Sequence, residues 1–77
     1  KDNTIIVFDN EPRNKEIVNR LKKVIDMGFS VCFFPDVVKE KDINDMVLSG
    51  LNVQSVIESN TYSGLEAKLK FTTWKRV

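Results

Sequence analysis

Two short runs of β-branched and aromatic residues, Thr4-Ile5-Ile6-Val7-Phe8 and Ser30-Val31-Cys32-Phe33-Phe34, constrain this chain more than any other feature. Neither alternates apolar with polar side chains, so each predicts a strand covered on both faces, as in a parallel sheet with helices above and below. The first run ends at Asp9-Asn10-Glu11-Pro12, where Pro12 has no amide to continue pairing, and the second ends at Pro35-Asp36. Between them Ile17, Val18, Leu21, Val24 and Ile25 recur at the spacing of one helix face, and Gly28 follows as a stop signal. Strand, helix and strand in this order predict a right-handed parallel βαβ unit and the α/β class.

Beyond the second strand, Asp42 to Leu48 predicts a short helix capped by Asp42 and stopped near Gly50, and Val53 to Ile57 predicts another. A further helix is expected from Tyr62 to Leu69, with Ser63 as its cap and Glu66 placed as in a capping box. The chain therefore reads as one small domain over residues 1–77, with a core in 3–50 and a helical basic and aromatic tail in 51–77. The balance of 42% hydrophobic and 30% charged residues is that of a chain that folds rather than a disordered one. Two strands do not make a stable sheet by themselves, so the expectation is an open sheet edge. Either sequence preceding Lys1 in a longer parent protein or a second copy in a homodimer would cover it.

The residue inventory narrows the chemistry. There is no histidine and one cysteine, Cys32, inside an apolar run, which excludes a disulfide framework, a Cys-based zinc site and Ser-His or Cys-His nucleophile pairs. Any catalysis falls to carboxylates. Ligands of open α/β sheets bind at the carboxyl ends of the strands, and Asp9 and Glu11 stand there, directly after Phe8. Two carboxylates one residue apart can aim at a common point, and a hard cation such as Mg²⁺ takes a few carboxylates together with waters and substrate phosphates. The alternative reading is a plain polar turn. A second acidic cluster, Lys41-Asp42-Ile43-Asn44-Asp45, follows the second strand on the same side of the sheet, where Asp42 also suits a helix cap. Asp36, after Pro35, suits a turn.

Net charge is +1, so any basic surface must come from local clustering. Lys15, Arg20, Lys22 and Lys23 fall on the outer face of the first helix. In the tail Lys68, Lys70, Lys75 and Arg76 interleave with Tyr62, Phe71 and Trp74, a mixture that suits single-stranded nucleic acid. The competing reading is that Leu65, Leu69, Phe71 and Trp74 close a small core. No apolar stretch approaches membrane-spanning length, and cytoplasm is the expected compartment.

Taken together, the strand Thr4 to Phe8, the pair Asp9-x-Glu11, the helix, the strand ending Phe34-Pro35 and the element Asp42-x-Asn44 resemble the second half of the Toprim domain of DNA primases. The likeness covers residues 3–50 and looks nearest to primases of large tailed bacteriophages, which would place the chain in the host cytoplasm. The primase pattern has an Asp-x-Asp pair where Glu11 here replaces the second Asp, and it begins with a strand and a catalytic Glu that this sequence does not contain. The resemblance implies Asp9, Glu11 and Asp42 as catalytic and metal-binding residues for Mg²⁺ or Mn²⁺, with Asn44 and Asp45 assisting. It also implies phosphate contacts from Arg13, Lys15, Lys41, Lys75 and Arg76. Single-stranded DNA, nucleoside triphosphates and, in the parent system, a replicative helicase are the implied partners. The zinc module of primases is absent, so this chain alone is expected to be inactive. Rival readings are a Toprim-type nuclease or topoisomerase fragment and a non-enzymatic α/β assembly module.

Overall fold

The structure, a computed structural model, describes residues 3–77; Lys1 and Asp2 lie outside them. Three short strands and four helices follow in the order β1 (Ile5–Ile6), α1 (Lys15–Asp26), β2 (Ser30–Cys32), α2 (Ile43–Leu48), α3 (Val53–Ser59), β3 (Thr61–Tyr62) and α4 (Gly64–Trp74). The sheet order is β1-β2-β3. β1 and β2 are parallel, with Ile5 opposite Ser30 and Ile6 opposite Val31, as the βαβ reading requires. The sheet as a whole is mixed, because β3 runs antiparallel on the other side of β2, with Val31 opposite Tyr62 and Cys32 opposite Thr61. The expected two-strand sheet thus gains a third strand, and Tyr62, expected to open a helix, sits in it.

The central strand explains the layering. Successive side chains of an extended segment point to opposite faces. Val31 and Phe33 accordingly join one core with Val18, Leu21 and Ile25 of α1 and Ala67, Phe71 and Trp74 of α4. Cys32 and Phe34 join a second with Val38 and Met46, flanked by Leu51, Val53, Val56 and Ile57 of the α2–α3 region. The run from Val31 to Phe34 is buried throughout, as a strand covered on both faces should be. β1 is less enclosed. Val7 and Phe8 pack against the two cores, but Thr4 and Ile5 are exposed and only Ile5 and Ile6 pair, because the strand has a neighbour on one side alone.

Local signals account for the helices. Asn14 caps α1, its side-chain oxygen accepting from the amides of Glu16 and Ile17. At the other end Gly28 takes φ +91°, and its amide and that of Phe29 donate to the carbonyls of Ile25 and Val24, which closes the last turn in a paired pattern open to few residues but glycine. Asp42 caps α2 as expected, accepting from the amide of Asp45 at 2.9 Å. Ser63 precedes α4, yet its hydroxyl makes no capping bond, and the helix opens on Gly64 at φ +55°. Of the expected tail stripe, Phe71 and Trp74 are buried but Leu65 and Leu69 are 71% and 62% exposed; Ala67, Phe71 and Trp74 form the buried face instead.

Two outcomes follow. Phe33→Ala removes a fully buried ring, and large-to-small changes of this kind cost about 3–5 kcal/mol, comparable to the whole stability of a small domain; urea denaturation followed by circular dichroism is expected to find it largely unfolded, whereas Leu65→Ala shifts the midpoint by less than about 0.5 kcal/mol. Burial also pushes the Cys32 thiol from 9.0 up to about 11. The folded state therefore holds this proton more tightly than the unfolded state does, so the thiol's contribution is complete below pH 9 and is lost as pH rises from 9 to 11. A thiol reagent at pH 8 is expected to label Cys32 only after denaturation.

Candidate functional site

The carboxyl ends of β1 and β2 lead into two loops, and the structure joins them through one residue. The amide of Glu11 donates to the carbonyl of Asp9 at 2.8 Å, a tight three-residue turn with Asn10 at its apex. The Asn10 side-chain Nδ2 donates to the carbonyls of Val38 at 3.0 Å and Glu40 at 3.1 Å. Its main-chain amide donates to the carbonyl of Lys41 at 2.6 Å. Lys41 in turn places Nζ 4.0 Å from Glu11 Oε1. The loop continues as a turn closed by the amide of Asn14 on the carbonyl of Glu11 at 3.0 Å, which leads directly into the cap of α1.

The expected site residues divide on this frame. Asp9 is exposed, and its side chain has no hydrogen bond or ion pair among the described residues. Glu11 is half-buried beside Lys41. Asp42 lies one residue beyond the Lys41 carbonyl that Asn10 engages, and one of its oxygens is already used in capping α2. Asn44 and Asp45 sit in the first turn of α2, exposed. Asp9, Glu11 and Asp42 are thus in adjoining loops on the same side of the sheet. Among the described residues, however, no three His, Cys, Asp or Glu side chains converge closely enough to hold an ion by themselves.

Beside these loops lies a groove of about 800 Å³ bounded by residues 10–14, by the segment after β2 and by the end of α4. Phe34, Pro35 and Trp74 contribute its apolar part, and Arg13, Lys39, Lys41 and Arg76 bring four cations against Glu11 and Asp36. Of the cations expected to contact phosphate, Arg13 and Lys41 line this groove. Arg76 is differently engaged: its Nη1 donates to the carbonyls of Thr73, Trp74 and Lys75 at the end of α4, and its Nη2 faces Asp36 at 4.0 Å. Its main-chain amide binds the Pro12 carbonyl at 2.7 Å and ties the end of α4 to the first loop. Lys75 lies outside the groove, over the ring of Phe71 on the α1–α4 side, and Lys15 is exposed in the first turn of α1.

Sequence reasoning missed Asn10, Lys39 and the place of Trp74. Asn10 stood between two acids in a turn-forming string, and nothing local marks a residue whose partners lie 28 to 31 positions away. Lys39 lies in Val38-Lys39-Glu40-Lys41, where neither motif nor period singles it out.

Comparison with known proteins adds one relative. The chain is 33% identical over 82 residues to a DNA primase of Enterobacteria phage T4, a match covering 100% of this chain and 24% of that protein. No family model matches. The chain spans about a quarter of the length of the curated relative it matches. A likeness running through the whole chain supports a primase-related fragment. Among the described residues, no helix is long and apolar enough to cross a membrane.

The divided role of Arg76 can be checked. Arg76→Ala removes three bonds to carbonyls at the end of α4 and the guanidinium charge that faces Asp36, and is expected to cost about 1 kcal/mol in a urea titration. Asp36→Ala, at a nearly fully exposed side chain, is expected to stay within about 0.5 kcal/mol of the parent.

Proposed function

We propose that this chain is the C-terminal half of a Toprim-type catalytic domain of a DNA primase, and that Asp9, Glu11 and Asp42 form its share of a Mg²⁺ or Mn²⁺ site. The observation that carries the reading is the bonding of the two strand-end loops through Asn10, which keeps the three carboxylates on one side of the parallel β1–β2 pair. The likeness to the phage primase supports the primase part of this reading.

The donor set suits a hard cation, since every candidate ligand is an oxygen and the site faces solvent, where waters complete the coordination. Asp9 and the second oxygen of Asp42 are the available donors, and Glu11 joins them if Lys41 swings aside. Asn44 and Asp45 would act through water. The remaining ligands, including the glutamate of the Toprim pattern, would come from other parts of a longer protein. When bound, the ion would lower the pKa of an attacking hydroxyl and neutralise a pyrophosphate leaving group.

Arg13, Lys39 and Lys41 line the adjoining groove and are suited to hold the phosphates of a nucleoside triphosphate or of single-stranded DNA. The whole activity, template-directed synthesis of RNA primers, would belong to the parent protein, together with any docking to a replicative helicase. The outer edge of β1, unpaired among the described residues, keeps a second reading in view, a small assembly module that dimerises through that edge.

Titration of the ¹⁵N-labelled chain with Mg²⁺ separates the two. The expected result is that amides of residues 9–11 and 41–45 shift together, and that Asp9→Asn combined with Glu11→Gln abolishes the shift. Unmoved amides at high millimolar Mg²⁺, with light scattering giving a stable dimer, would replace the metal reading with the assembly module.

A further inference from the structure

Asparagine at position 10 is matched to its surroundings in a way that neither turn formation nor metal binding requires. The two protons of one planar amide are divided between the carbonyls of Val38 and Glu40, and the main-chain N–H of the same residue takes the carbonyl of Lys41. Three bonds from one residue thus hold a loop some thirty positions away in the sequence. Asp is nearly isosteric but ionised, and would set a carboxylate against two carbonyl oxygens with no proton to share. Ala or Gly would leave two half-buried carbonyls without this donor. The chemistry of the position therefore calls for a short side chain with two donors.

The consequence concerns the residues on either side. Asn10 is the apex of the turn closed by Glu11 on Asp9, so anchoring the apex holds the backbone of both flanking acids beside the segment that ends at Asp42. The anchored carbonyl of Lys41 adjoins Asp42 directly in the chain. Glu11 and Lys41, 4.0 Å apart, are a loose ion pair between a half-buried carboxylate and an exposed ammonium, worth little in fixing the loops. The uncharged amide is the stronger tie, and it draws on no carboxylate of either loop.

We infer that Asn10 is a positioning residue that sets the spacing between the Asp9–Glu11 and Asp42 donors, so that the two loops take up a metal ion as one site; this rests on the metal-site reading above. Asn10 touches neither ion nor substrate in this role. It acts as the supporting partners of metal ligands do, whose loss lowers affinity by roughly 10- to 100-fold.

The test is Mn²⁺ titration of the ¹⁵N-labelled 77-residue chain, read by paramagnetic broadening, for the parent, Asn10→Ala and Ser49→Ala. Ser49→Ala removes a part-buried side-chain bond to the Met46 carbonyl away from the loops and serves as the matched structural change. The parent is expected to broaden residues 9–11 and 41–45 with a single midpoint. In Asn10→Ala the midpoint rises by roughly tenfold or more and the two loops titrate apart, while Ser49→Ala keeps the parent's single midpoint. A folded Asn10→Ala with an unchanged single midpoint overturns the positioning role and leaves the metal site standing. Equal weakening in Ser49→Ala also overturns it, since the effect is then general loosening. No broadening in the parent overturns the metal site and the positioning role together. Should Asn10→Ala fail to fold, Asn10→Ser, whose hydroxyl reaches at most one of the two carbonyls, is read by the same criteria.

Discussion

Burial of β2 on both faces is the constraint on which the rest of the molecule depends. Phe33 is fully buried and lies against Tyr62, Phe71 and Trp74 with ring centroids 6.1, 6.5 and 5.5 Å away. Tilted and edge-on aromatic pairs add about 0.5–1.5 kcal/mol each beyond the area they bury. Through this ring the strand gathers α4 and β3, and through Val31 it gathers α1. One residue along, Cys32 and Phe34 do the same for the α2–α3 layer. A register slip of one residue would exchange the two sets, so a strand only three residues long still fixes which helix lies on which face.

That arrangement also decides where chemistry can occur. A chain of this size buries only about 60% of its unfolded surface, and among the described residues the interior is used by apolar side chains with no buried polar or charged residue. Carboxylates are confined to the rim. The carboxyl ends of β1 and β2 are the part of the rim where two loops leave the sheet side by side, because parallel strands end on the same edge. The cost is looseness, since loops on a small domain have few side chains to pack. Main-chain bonds supply the order instead: Asn10 to Lys41, Asn14 to Glu11 and Arg76 to Pro12 link the first loop to the second, to α1 and to the end of α4.

Much of this was legible in the sequence where the signal is local. The spacing of Val18, Leu21 and Ile25 gave the buried face of α1, the unbroken run Val31 to Phe34 gave a strand covered on both faces, and Asp42 stood where a cap belongs. The losses are non-local. Thr61 and Tyr62 have no strand pattern of their own; they pair because β2 offers them an edge, and the Phe33 amide extends the pairing to the Asn60 carbonyl. Leu65 and Leu69 share a helical spacing with each other but not with Ala67, Phe71 and Trp74, and only packing decides which set turns inward. Arg76 looked like a free cation because its partners are carbonyls, which no sequence pattern displays.

The same distinction separates the placement of the site from its assembly. Position after a strand put Asp9 and Glu11 forward as candidates, and Asp42 was legible as a helix cap, but the bond that makes neighbours of the two loops belongs to a neutral residue that carries no catalytic signature. Assigning that bond to an amide has a physical advantage. A carboxylate used as a structural acceptor spends lone pairs and charge on its own protein, as Asp42 does with one oxygen in capping α2. Asp9, held in place through the backbone of its neighbour, spends none. Fixing the loops through Asn10 therefore leaves the Asp9 carboxylate at the surface uncommitted to the described residues, while the loop that carries it remains tied to its neighbour.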